Sequence, residues 1–220
     1  MFPTPCCTRY CALPAPDLSH EQGLLATGAT LVAGIDEVGR GALAGPVSVG
    51  VVLVGAATPP PPRGVNDSKL LTAAARSRLA PLLAAWPVAS AVGHAWPAEI
   101  DEHGIVAALT LAAERGLAAV TAVVGQGPDA AILDGTHNWL AGRVGGVETL
   151  VKADQRCASV AAASVLAKVE RDALLAKLAR SHPAYGWDTN RGYGSAAHRQ
   201  ALREHGPTRH HRLSWNLGIG

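Results

Sequence analysis

Aromatic residues make up only 4% of this 220-residue chain, and Met and Phe occur once each, so Ala, Val and Leu must fill the core. A chain that short of large side chains must bring its backbones close together, which favours tightly packed helices on a sheet of small residues. Net charge is equally scarce. Nineteen Lys and Arg against 17 Asp and Glu leave +2, which excludes the global basic field of a protein that coats nucleic acid by charge alone. Cysteine forms no disulfide framework: Cys6, Cys7 and Cys11 crowd the N-terminus and Cys157 stands alone, without the Cys-x-x-Cys pairs of a structural zinc site. No basic segment followed by a long apolar one opens the chain, and the nearest approach to a membrane span, Ala42 to Ala57, is broken by glycines, Pro46 and Ser48. These absences lead us to expect a cytoplasmic monomer with no membrane partner.

Length suits one domain with a small appendage. Residues 1–27, rich in Pro, Cys and Thr without periodicity, read as a poorly ordered extension that carries no chemistry. Apolar and β-branched runs predict strands at 31–37, 47–54, 88–96, 130–134 and 147–151. Ala- and Leu-rich stretches predict helices at 72–85, 97–103, 105–123, 156–179 and 195–205. Three strands joined by short or Pro-rich connections imply an antiparallel meander, and the later alternation with helices implies an α/β fold. The expected architecture is a mixed five-stranded sheet flanked by helices over residues 28–180, with a small helical C-terminal appendage at 181–220 packed on the core. The appendage is locally basic, since residues 180–212 hold six Arg and five His against Asp188 and Glu204.

Chemistry concentrates in the stretch Gly34 to Pro46. An apolar strand here carries two adjacent acids, Asp36 and Glu37, into a core with one nearby cation, Arg40, and a divalent metal would balance them. Successive strand side chains face opposite ways, so the two share a site only if the strand ends there and the backbone turns, which Gly39 and Gly41 allow. The same glycines bare the loop on both sides of Arg40, so that backbone N–H groups can approach a sugar or phosphate. A dinucleotide-binding reading fails, because the third glycine falls at Gly45 and Gly45-Pro46 opens another β-rich run. The plain alternative is a surface hairpin with an Asp-Glu pair. Asp134, at a strand end before Gly135, repeats the first site's logic. Asp154 precedes a helix and reads equally well as an N-cap. Asn66-Asp67-Ser68-Lys69, taken alone, is a helix-entry loop, and the tail's Tyr, Trp and Arg residues either cap the core or offer stacking faces and phosphate donors.

Gly34-Ile35-Asp36-Glu37-Val38-Gly39-Arg40-Gly41, closed by Gly45-Pro46, meets every fixed position of the N-terminal signature of type-2 ribonucleases H and resembles ribonuclease HII. Lys152-Ala153-Asp154 with Ser159 to Asp172 is similar to a second block of that family, departing only in Ala153, where Gly is usual. Tyr185-Gly186-Trp187, Arg191-Gly192-Tyr193-Gly194 and Gly206-Pro207-Thr208 resemble a third. Asp rather than Glu at position 154 and the short leader set the chain apart from the related ribonuclease HIII branch.

The resemblance implies a ribonuclease H-like fold in which Asp36, Glu37, Asp134 and Asp154 are catalytic and hold two Mg²⁺ or Mn²⁺ ions, metals that suit oxygen donors without clustered His or Cys. It implies nucleic-acid contacts at Gly39, Arg40, Gly41, Asn66, Ser68, Lys69, Ser164, Lys168, Arg191 and Tyr193, with Tyr193 as the junction-sensing tyrosine and Tyr185 next in line. The implied substrates are the RNA strand of RNA–DNA hybrids and ribonucleotides embedded in duplex DNA, cut to leave 3′-hydroxyl and 5′-phosphate ends. Two rivals stand beside this reading. Another metal-dependent nuclease or resolvase of the same fold would share the carboxylates, and a non-catalytic hybrid-binding module would lack one of them.

Overall fold

Five strands form in the computed structural model, which describes residues 15–219: β1 (Leu31–Val38), β2 (Val47–Gly55), β3 (Ala89–Ala95), β4 (Ala130–Asp134) and β5 (Gly146–Leu150). They make one mixed sheet in the order β3-β2-β1-β4-β5. β1, β2 and β3 meander antiparallel, and β4 and β5 extend the other edge of β1 in parallel. A parallel strand needs a crossover, and α3 (Pro97–Val124) supplies it between β3 and β4. The other helices are α1 (Ser19–Ala26), α2 (Ala73–Ala85), α4 (Ala158–Ser181), α5 (Trp187–Asn190) and α6 (Ala196–His205). The N-terminal cysteines Cys6, Cys7 and Cys11 lie outside the described residues, while Cys157 is a buried free thiol.

Strand alternation sorts the core onto two faces. Leu31, Ala33, Ile35, Val47, Val49, Val51 and Leu53 pack toward α3, whereas Val32, Val52, Val54 and Ile132 pack toward α4. Covered on both faces, the central strands read as continuous apolar runs. The scarcity of aromatics is met by close backbone approach. A Cβ at Gly34 or Gly50 would run into Ser159 or Ala163 of α4, and one at Gly93 into the backbone of Ala112 in α3. α3 breaks at Gly104 (φ 79°), where the sequence divides into two helices. By length and mean hydropathy (1.5) α3 passes for a membrane span, contrary to the expectation that no stretch would. Its Ala108, Leu109, Ala112, Ala113 and Leu117 are buried in the cluster that covers β2 and β3, which explains the apolar composition.

Part of the expected disordered leader is structural. Within residues 1–27, α1 packs at the start of α4 and buries Glu21. Glu21 Oε1 accepts hydrogen bonds from Ser159 N (2.8 Å) and Ser159 Oγ (2.6 Å), and Asp17 O accepts one from Ala158 N (2.8 Å). These N–H groups belong to the first turn of α4, whose own N-cap residue, Cys157, makes no side-chain cap bond. The leader therefore caps the helix from 138 residues away in sequence. Burial pushes the Glu21 carboxyl above its ordinary range.

The C-terminal appendage has its own cluster, in which Tyr185, Trp187, Ala201 and Leu202 pack on Leu175 of α4 and on Leu43 and Ala44 from the loop after β1. Trp187 Nε1 donates to His198 Nε2 (3.1 Å), and the Tyr185 hydroxyl donates to Gly206 O (2.7 Å).

Glu21→Ala would leave the Ser159 N–H and hydroxyl buried without an acceptor, at a cost of about 1–3 kcal/mol. A urea melt should show the lowered midpoint, and deletion of residues 1–25 should carry at least the same loss. An unchanged midpoint in both would contradict the capping role.

Candidate active site

β1 stays paired with β2 through Val38↔Ser48 but loses β4 after Ile35↔Leu133. The strand was expected to end at Glu37 and runs one residue further, to Val38, before the chain turns at Gly39 (φ 81°), so the site opens where β4 ends and β1 turns away. Asp36 shares parity with Val32 and Gly34 and faces α4, and Asp134, following Ile132, emerges from β4 on the same side. Asp134 Oδ1 accepts from Ala153 N (2.8 Å), which ties the end of β4 to the 3₁₀ turn Ala153–Gln155 that carries Asp154. Asp154 is thus no N-cap of α4, since that place belongs to Cys157.

These acids act on one another. Asp36 is 3% exposed, with Oδ1 accepting from Glu37 N at 2.8 Å. Burial, together with Glu37 and Asp134, pushes its pKa up to about 8, although the Ser164 hydroxyl and Lys69 oppose the shift. Burial raises Asp154 to about 6, helped by Asp134 and Asp67. Burial raises Glu37 as well, against the pull of Arg40, whose Nη1 lies 3.6 Å from Glu37 Oε1. A fifth carboxylate that the sequence reading passed over, Asp67, accepts from Lys69 N (2.9 Å) and Gln155 Nε2 (3.3 Å). Lys69 Nζ sits 3.6 Å from Asp154 Oδ2 and 3.8 Å from Asp67 Oδ1. Although its burial works the other way, Asp36, Asp67, Asp154 and Asp134 hold the Lys69 ammonium above its usual range.

Among the described residues, no three Asp, Glu, His or Cys side chains clasp an ion as they stand. The donor set nonetheless fits a hard divalent cation: every candidate ligand is a carboxylate, and burial with mutual repulsion raises the proton affinity of Asp36, Glu37 and Asp154 even though Lys69 and Arg40 oppose it.

The loop from Gly39 to Pro46 is held from below by two guanidinium groups. Arg171 of α4 donates to Pro46 O (2.8 Å), Ala44 O (3.1 Å) and Arg191 O (2.9 Å), while Arg212 donates to Gly39 O (2.6 Å), Arg40 O (2.7 Å) and Gly45 O (3.3 Å). Both arginines are buried, and among the described residues neither has a carboxylate oxygen within 4.0 Å. Burial and the neighbouring Arg171 depress Arg212 to about 9.

Gly39 is a glycine because φ is 81° and its bare Cα abuts Arg171, whereas a Cβ on Gly41 would meet nothing within 4 Å. The open backbone expected at both positions is therefore found at Gly41. Arg40 is exposed. Asn66 Oδ1 accepts from Asp67 N (2.8 Å). Ser68 and Ser164, expected to touch nucleic acid, are buried and bonded to each other at 2.8 Å, fastening the tetrad to α4. Lys168 and Arg191 share Asp172, at 2.7 and 3.5 Å. Tyr193 is 39% exposed with Arg171 Cζ 5.7 Å from its ring centroid, and Gly192 O accepts from Leu43 N and Ala44 N, which stitches the tyrosine to the loop. Tyr185, the fallback, is buried with its hydroxyl already engaged by Gly206 O.

The folded pKa of Asp36 stands above its ordinary 3.8, so between 3.8 and about 8 the native state binds the extra proton and metal-free stability falls as pH rises. In EDTA, Asp36→Asn should therefore melt above wild type near pH 8, and the gain should shrink toward pH 4, where both states of the wild-type group are protonated. Thermal melts across that range check it, and a variant less stable at the alkaline end would contradict the buried-charge account.

The model of the family described as Ribonuclease HII matches residues 33–217. The chain is 50% identical over 201 residues to the ribonuclease HII of Streptomyces coelicolor, an alignment that covers 91% of this chain and 83% of that one. Its fold is similar to that of the ribonuclease H2 of Pyrococcus horikoshii OT3 (TM-score 0.67, 24% identity, 86% of this chain and 95% of that one). It is similar also to Bst-RNase HIII solved in complex with Mn²⁺ (TM-score 0.66, 23% identity, 86% of this chain and 68% of that one). The family match takes in both acid-bearing strands, the arginine-held loop and the C-terminal segment that holds it, and with half of all aligned positions shared with one relative the chain belongs to the ribonuclease HII family of ribonuclease H hydrolases.

Proposed function

We propose that this ribonuclease hydrolyses the RNA strand of RNA–DNA hybrids and incises at ribonucleotides embedded in duplex DNA, leaving 3′-hydroxyl and 5′-phosphate ends, with two divalent ions as cofactors. The observation that carries the proposal is the group of buried carboxylates, under-balanced by cations, beside a loop whose backbone is open at Gly41. Asp36, Glu37, Asp134 and Asp154 would hold these ions, with Asp36, at the centre of the group, a ligand common to them. The Mn²⁺ in the neighbouring Bst-RNase HIII structure supports a divalent metal of this type. Mg²⁺ or Mn²⁺ supplies Lewis-acid stabilisation of phosphoryl oxygens and an acidified water.

The protein's share is placement and recognition. Lys69 balances Asp154 and Asp67 in the metal-free protein, and with the carboxylates neutralised by metal its ammonium is available to a phosphate. Arg40, Lys168 and Arg191 provide further positive charge for the backbone. Phosphate contacts do not distinguish RNA from DNA, so the discriminating group is the 2′-hydroxyl, which both donates and accepts hydrogen bonds. The main chain at Gly41 reaches that hydroxyl without a Cβ in the way, four residues from Glu37. Tyr193, backed by Arg171, packs on the adjoining sugar, where a second 2′-hydroxyl would clash, so a ribo-to-deoxyribo junction is the preferred cutting point.

Asp134→Asn keeps an oxygen for Ala153 N and removes a charge the metals require. It should fold, bind hybrid and lose turnover by orders of magnitude, and retention of more than about a tenth of wild-type turnover would contradict the assignment. Wild-type cleavage should stop in EDTA and return with Mg²⁺ or Mn²⁺. Tyr193→Ala should lose most activity on a duplex with one ribonucleotide while retaining more on an RNA–DNA hybrid, and equal turnover of variant and wild type on the former would contradict the tyrosine's role.

A further inference from the structure

The turn that carries Asp154 has a second side. A groove of about 470 Å³ runs past it, lined by His20 of α1, by Val151, Lys152 and Gln155, and by Arg156. Arg156 Nη2 donates to His20 Nε2 at 3.1 Å. Among the described residues neither Lys152 nor Arg156 has a carboxylate oxygen within 4.0 Å. The acid on the rim, Asp17, engages Ser19 N at 2.9 Å. The groove thus holds two cations against one carboxylate, a net positive charge next to a centre that is otherwise acidic.

Lys152 is held with φ at 57° and ψ at 40°. A left-handed backbone at a non-glycine residue costs roughly 1–2 kcal/mol. Among the described residues the other non-glycine case is Arg191 (φ 53°), which is also basic and also beside the site. The two lie toward opposite ends of the carboxylate group. Lys152 and Arg156 precede α4, Ser164 of α4 lies at Asp36, and Lys168, which shares Asp172 with Arg191, comes later on the same helix. At 1.5 Å per residue, about 15 Å of helix separates Ala158 from Lys168. A duplex carries a charge about every 1.7 Å along its axis, so one lying across the carboxylates presents phosphates to both ends.

We infer that the groove formed by His20, Lys152 and Arg156 binds the phosphodiester backbone of the substrate duplex on the flank of the scissile bond opposite the Lys168–Arg191 pair, with Lys152 and Arg156 each engaging a phosphate. The inference rests on the function proposed above and adds a second anchoring point, so that the Asp154 turn is clamped between the reacting strand and its flank. Gln155 donates to Asp67, while Lys152 and Arg156 are exposed.

The test uses the full chain and three duplexes, each with a single ribonucleotide: one extended on both sides, one cut short upstream and one cut short downstream. The double variant Lys152→Gln, Arg156→Gln keeps the first three side-chain carbons and a polar end and removes both charges. On the long duplex it should raise KM about tenfold at unchanged kcat and make the dependence of log K on log salt shallower by about 2. On one of the two shortened duplexes the variant and wild type should be equal, because the flank that the groove holds is missing. The charge-keeping swap Lys152→Arg, Arg156→Lys should behave as wild type. An unchanged KM and salt slope, an equal loss on all three duplexes, or a loss in the charge-keeping swap would each overturn the groove assignment. Wild-type protein inert on all three would instead overturn the functional reading, which separates the two failures.

Discussion

Helix α4 can lie directly on β1 and β2 because Gly34 and Gly50 have no side chains, and the rest of the site hangs on that approach. A Cβ at either position would push the helix off the sheet at Ser159 or Ala163. Ser164 would then leave Asp36, and Arg171, about two turns further along, would leave the carbonyls of Ala44 and Pro46. One helix thereby sets both the depth at which the first acid is buried and the position of the loop that meets the substrate. Its N-terminus is fixed by Glu21 and Asp17, so the segment before the first strand contributes to the geometry of a site it does not touch.

Charge is deployed at a cost to stability on both sides of this helix. The carboxylates crowd at the end of β1 and β4 with too few cations, and a few residues away Arg171 and Arg212 are buried with carbonyl oxygens as partners in place of acids. The two excesses do not neutralise each other, because the loop Gly39–Pro46 stands between them and its carbonyls turn toward the arginines. That arrangement fits a site whose missing positive charge arrives with divalent cations, while the buried arginines hold the loop in place. Native proteins spend stability in this manner at functional positions.

Much of this was legible in the sequence, for identifiable reasons. The strands announced themselves because both faces of the sheet are covered, and Gly104 divided α3 where the pattern breaks. Asp36, Glu37 and Asp134 stood out because acids at the ends of apolar runs need an explanation, while Asp154 needed the fold to separate it from an N-cap. What stayed hidden was satisfied at long range. The partner of Glu21 is 138 residues away, and Arg171 and Arg212 bond to main-chain oxygens, which leave no spacing of opposite charges to read. The resemblance places Ser68 and Ser164 among the nucleic-acid contacts, and in the structure their hydroxyls are bonded to each other. Gly39 looked like bare backbone for a substrate and is bare for Arg171.

The central claim is that buried acids awaiting a divalent ion and a loop that senses a 2′-hydroxyl act together on one phosphodiester. Matched duplexes containing no ribonucleotide, one ribonucleotide or a ribonucleotide tract, incubated with and without Mg²⁺ or Mn²⁺, test both halves at once. The account predicts cleavage of the two ribonucleotide-bearing duplexes when the cation is present, with 3′-hydroxyl and 5′-phosphate ends, and an intact all-DNA duplex. Cleavage of the all-DNA duplex at a comparable rate, or cleavage of any duplex in EDTA, would contradict it.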